Sequence, residues 1–228
     1  MSEIPDYNPL RTRRTIRHSL ERIGSVGLAI GLGILKYGLF FGKFFSFFIS
    51  VAAFSFWFHS WSFAFGFVLL IAVHELGHVF EARRQGLKVS LPTFIPFIGA
   101  YVTIERAGLT PWRNALISLA GPLFGGAASG IVYAFGAARG SEMLEVLANM
   151  GFLLNAFNML PIGFLVGGQT VHAAREAWRM PVIQFEAGVP VAAFAPDRSR
   201  AVMIVSLYVT LASLLVIGML ATRINGAL

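Results

Sequence analysis

Five stretches of about twenty largely apolar residues, at 41–61, 62–80, 115–138, 146–167 and 201–221, govern what this chain can fold into. A helix needs about 20 such residues to cross the hydrocarbon core of a bilayer. Only helices and closed barrels satisfy every backbone polar group there. Of the 228 residues, 56% are hydrophobic and 13% charged, with a mean hydropathy of +0.71, whereas soluble domains are about a quarter charged. One soluble core cannot hide so much apolar side chain. The expectation is an all-α, polytopic integral membrane protein with about five transmembrane helices in a lipid bilayer.

The basic residues follow that topology. With the N-terminus in the cytoplasm and five spans, the inner side holds Arg11, Arg13, Arg14, Arg17 and Arg22, then Arg83, Arg84, Lys88, Arg106 and Arg113, then Arg175, Arg179, Arg198 and Arg200. The outer side holds Arg139 and Arg223. This positive-inside bias accounts for the net charge of +7 better than nucleic-acid binding does, since no basic patch interleaved with aromatics lies outside the spans. The chain has no cysteine, which excludes disulfides and thiolate metal sites. No signal peptide is evident at the N-terminus. Residues 1–40 read as a cytoplasmic basic tail with an interfacial segment, and 41–228 as a single transmembrane domain.

Two apolar stretches do not fit simple spans. Residues 89–104 are broken by Pro92, Pro96 and Gly99. Non-helical backbone at membrane depth must be buried in protein or face a watery cavity, so this stretch reads as a re-entrant loop or short β-hairpin. Residues 181–196 carry three prolines and read as a loop at the membrane surface.

The chemistry lies in "FVLLIAVHELGHVF", residues 67–80. Ionisable groups inside a span are costly and mark function. His74, Glu75 and His78 spell H-E-x-x-H. Side chains at i and i+4 share a helix face about 6 Å apart along the axis, so both imidazoles can reach one metal ion. Zinc accepts neutral imidazole nitrogen, and catalytic zinc usually has three protein ligands. Glu75, beside the first ligand, is placed to act as general base toward water.

"HELGHVFEARRQG" resembles the first signature of the site-2 protease family of intramembrane zinc metalloproteases, through His74, Glu75, Gly77, His78, Ala82 and Gly86. "ALISLAGP", residues 115–122, is similar to the small-residue span that follows in that family. "FNMLPIGFLVGGQ", residues 157–169, resembles its second signature through Asn158, Pro161, Leu165, Gly167 and Gly168. The resemblance covers about 41–175. It implies one Zn2+ ion held by His74 and His78, with Glu75 catalytic and a membrane-embedded protein substrate. It also implies that Asn158 lies near the active site as a substrate-binding or oxyanion-stabilising group, and that the 89–104 stretch offers an edge to which an unwound substrate adds.

One position departs from the pattern. Where the family has an aspartate as third zinc ligand, this chain has Val166, and valine cannot bind a metal. Glu81, Gln169, His172 and Asp197 are the candidate side chains to replace it, and water or a partner protein is the other source of a third ligand. The expected function is hydrolysis of peptide bonds in membrane-spanning substrates. The alternative is an inactive pseudoprotease that binds transmembrane segments without cutting them. A transporter ranks below both, because no other span carries an acidic residue well inside it.

Overall fold

The computed structural model describes residues 32, 37–38, 41–105, 108–186, 189–194 and 198–223. The basic tail over 1–23 and most of the approach over 24–40 lie outside the described residues, as does Asp197. The chain divides into two units, Met1–Phe45 and Ser46–Leu228. All packing described below belongs to the second.

Helix α1 is described over Phe41–Phe58. It ends in a sharp turn at His59, whose φ is +52°. Ser60 then caps α2, Trp61–Arg84, its side chain accepting from the Phe63 N–H at 3.3 Å. At the other end the Leu87 N–H donates to Ala82 O and the Gly86 N–H to Arg83 O. This paired closure requires a left-handed residue just past the helix, and Gly86 supplies it at φ +78°.

Strands β1, Thr93–Ile95, and β2, Gly99–Tyr101, pair antiparallel with Thr93 opposite Tyr101. Of the two readings of 89–104, the short hairpin is the one that forms. Phe94 anchors it, packing into the cluster of Val51, Phe67, Val68, Leu70, Ile71 and Leu147, while its N–H donates to Ser46 Oγ at 3.1 Å.

Helix α3, Pro111–Arg139, starts on a Thr110 cap with proline in its first turn, where the missing N–H costs nothing. Helix α4 follows over Glu142–Asn158. The apolar run at 146–167 does not continue as one span. Its helix stops at Met159 and the chain unwinds until α5, Val166–Arg179. Pro161 lacks an N–H and cannot continue the ladder. The freed Met159 carbonyl instead accepts from the Tyr208 hydroxyl at 2.5 Å.

The 181–196 stretch also differs from its reading as a loop. It forms an antiparallel pair, β3, Val182–Glu186, with β4, Val189–Phe194. Runs rich in valine, isoleucine and phenylalanine on either side of Ala187–Gly188 favour strand pairing. The fold is therefore mostly helical, with two two-stranded sheets, and not wholly α.

Helix α6, Ser199–Ala221, closes the described chain. Four described helices, α1, α2, α3 and α6, are long and apolar enough to cross a membrane. At 17 residues α4 is shorter than any of them, so the expected count of about five spans stands at four by this measure. The spans are not equivalent. Within an apolar 18-residue stretch of each, 67% of α2 and 56% of α3 is buried, against 17% of α1 and 11% of α6. The central pair α2–α3 therefore carries whatever polar chemistry the bundle shields.

Candidate metal centre

His74, Glu75 and His78 are all buried on α2. They lie about 15 to 9 Å along the axis from Arg84 and farther from Trp61, so the cluster sits toward the basic end of its span.

Each imidazole is oriented by a different neighbour. Asn155 on α4, wholly buried, donates from Nδ2 to Gly151 O at 2.7 Å. That bond turns its Oδ1 toward His74, whose Nδ1 lies 2.7 Å away. His78 Nδ1 lies 2.8 Å from the Ile117 carbonyl of α3. Both partners can only accept, so both Nδ1 atoms carry the hydrogen and donate. In the neutral imidazoles the lone pairs are then on Nε2. The two Nε2 atoms face each other at 3.2 Å.

Two lone pairs at that distance repel unless a cation lies between them. Nitrogens each about 2.0–2.1 Å from one tetrahedral zinc are about 3.3 Å apart. The pair therefore fits a zinc ion in both spacing and protonation, with the Nδ1–H groups anchored as metal-binding histidines usually are.

Small residues on α3 make room for this arrangement. A Cβ on Gly121 would run into the His78 ring and come within 2.9 Å of His74 Nε2. A Cβ on Gly77 would strike the Ala120 backbone. This close approach of backbones is how membrane helices pack.

Glu75 makes no hydrogen bond among the described residues, although it is buried. The other candidate ligands among the described residues are engaged elsewhere. Glu81 accepts from Arg84 Nε and Nη2 at 2.7 Å each and from Gln85 Nε2 at 2.7 Å. Gln85 continues that network into α3, accepting from Arg113 at both Oε1 and its backbone carbonyl. Gln169 donates to Phe164 O and accepts from Ser118. His172 is exposed and faces Glu176 at 3.6 Å. Among the described residues, no group of three His, Cys, Asp or Glu side chains could hold a metal ion.

Val166, where the sequence resemblance puts an aspartate, is buried with Leu119, Met159 and Leu215. The backbone around it keeps the pattern. A Cβ on Gly167 or Gly168 would collide with the Met159 or Ile162 carbonyls. Asn158, half-buried, donates to Leu154 O at 3.0 Å on its own helix. The amide that reaches His74 belongs to Asn155, one turn earlier. The sequence held one signal for it: an amide in the apolar run "GFLLNAF" must find a partner, because an unpaired one is costly.

The model of Peptidase family M50 matches residues 62–140, which takes in α2 and α3 and ends before Asn155, Asn158 and Val166. The chain is 30% identical to "Probable zinc metalloprotease EGY1, chloroplastic" of Arabidopsis thaliana, over 49% of this chain and 29% of that protein. It is 27% identical to the protein of the same name in Oryza sativa subsp. japonica, over 49% of this chain and 27% of that one. It thus spans less than a third of the length of these relatives. No solved structure matches. Over residues 62–140 the chain carries the pattern of Peptidase family M50, the site-2 protease family.

Proposed function

We propose that this chain is a membrane-embedded zinc metalloprotease of the site-2 type, which hydrolyses a peptide bond of a membrane-spanning protein. The observation that carries this reading is the pair of Nε2 atoms 3.2 Å apart, each fixed by a hydrogen bond on the far side of its ring. His74 and His78 would hold one zinc ion. When bound, zinc supplies a Lewis acid that polarises a carbonyl and acidifies water.

The rest falls to the chain's own side chains. Glu75 takes the proton from the attacking water and delivers it to the leaving amine, as a general base and then acid does. Among the described residues its carboxylate has no hydrogen bond to break first. Asn158, where α4 gives way to the unwound 159–165 segment, contacts the substrate through its Oδ1, which has no partner among the described residues. Both strands of the β1–β2 hairpin are edges, which suits addition of an extended substrate. The N-terminus is cytoplasmic, residues 1–40 form the tail and 41–228 the catalytic domain.

A second reading is favoured by one observation, the burial of Val166 among Leu119, Met159 and Leu215. On that reading the fold binds transmembrane segments without cutting them. The discriminating experiment is cleavage of a single-span substrate co-reconstituted in liposomes, using the unmodified chain, Glu75→Gln and Val166→Asp. Cleavage by the unmodified chain that stops in Glu75→Gln supports the protease. Cleavage only with Val166→Asp assigns the chain to the second reading.

A further inference from the structure

Helices α5 and α6 enclose a groove of about 420 Å³ that the proposed chemistry does not use. Val171 and Ala174 of α5 and Val202 and Val205 of α6 give it apolar walls, while Arg175 and Trp178 line it on the α5 side. The Arg198 guanidinium, at the start of α6, stacks 4.6 Å above the Trp178 ring.

Three observations describe what such a groove would take. Its apolar part runs along α6, the most exposed of the four spans, so it opens toward lipid. Its other end lies where that span begins, at the depth where tryptophan prefers to sit and arginine can extend to the headgroups. Among the described residues the one charged side chain lining the groove is Arg175, and Arg198 stacks on the lining Trp178. Arg175, Arg179, Arg198 and Arg200 are all exposed, and among the described residues none has a carboxylate partner. The nearby Glu176 faces His172.

We propose that the α5–α6 groove is a binding site for one anionic phospholipid. An acyl chain lies along Val171, Ala174, Val202 and Val205, and the phosphate is held by Arg175 and Arg198. Basic pockets between membrane helices select anionic headgroups in this way. A zwitterionic lipid offers the same chain but brings a cation to Arg175 and Arg198. Among the described residues no strand and no carboxylate lines the groove, so a peptide finds no backbone edge or acidic anchor there.

The test is native mass spectrometry of the full chain, released from micelles holding equal amounts of phosphatidylglycerol and phosphatidylcholine. The expected result is one retained phosphatidylglycerol, favoured on the order of tenfold over phosphatidylcholine. Arg175→Gln/Arg198→Gln removes the preference and Arg175→Lys/Arg198→Lys keeps it. Arg139→Gln, at the far end of α3, leaves it unchanged. Equal retention of the two lipids, or a preference that survives the glutamine pair, overturns the proposal. If the glutamine pair cannot be purified, Val205→Phe, which fills the groove, decides: it must lower retention of phosphatidylglycerol, and undiminished retention overturns the proposal.

Discussion

The His74 Nδ1 atom lies 2.7 Å from Asn155 Oδ1, joining residues 81 positions apart in the chain. This bond fixes which way His74 Nε2 faces, and Asn155 is itself fixed by its bond to Gly151 O. Replacing Asn155 by Ala frees the ring to rotate and to change tautomer. Loss of such a partner weakens metal binding about 10–100-fold. Competition with a chromogenic chelator measures this, and helical circular dichroism should be unchanged.

Gly121 provides the space in which the two rings meet. Gly121→Ala places a methyl group against His78 and His74 and should abolish stoichiometric zinc binding. Gly130→Ala on the same helix is the matched control, because its Cβ would only reach ordinary contact with Phe152 at 3.9 Å. Zinc content of the two purified variants gives the comparison.

Glu75 separates binding from chemistry. It does not touch either imidazole through a hydrogen bond, so Glu75→Gln should bind zinc as the unmodified chain does. On the protease reading the same variant loses general-base catalysis, typically worth 10²–10⁴-fold. Zinc titration and substrate cleavage on one preparation check both halves.

Arg113 ties the start of α3 to the end of α2 through Gln85, at 3.0 Å to Oε1 and 2.6 Å to the carbonyl. Hydrogen bonds to a charged group contribute about 1.5–3 kcal/mol each at most. Arg113→Ala should therefore lower the unfolding midpoint in detergent by several degrees and leave the His pair's zinc stoichiometry intact. Differential scanning fluorimetry reads the first and metal analysis the second.

The long spans were legible because length and hydropathy alone specify a helix in a bilayer, as α2, α3 and α6 illustrate. The His pair was legible because its i, i+4 spacing already fixes a shared face. The break after Asn158 was foreshadowed by Pro161, yet the apolar run continued past it, so the span read from sequence overran the helix. The β3–β4 hairpin was hidden by prolines that suggested a loop, although the residues around Ala187–Gly188 were strand-forming. Asn155 was missed because its partner is 81 residues away. No local spacing rule reports a contact that depends on α4 packing beside α2. Val166 shows the opposite case: the resemblance to the second signature singled it out in the sequence, and the structure adds its apolar neighbours.

The most direct test of the central claim is zinc titration of the metal-stripped, detergent-solubilised chain beside His78→Ala and Val166→Asp. The account predicts one ion per unmodified chain and none in His78→Ala. At least tenfold tighter binding is expected in Val166→Asp, which puts a carboxylate where the sequence resemblance places a third ligand. Zinc binding that survives His78→Ala, or no binding by the unmodified chain at any concentration, would contradict it.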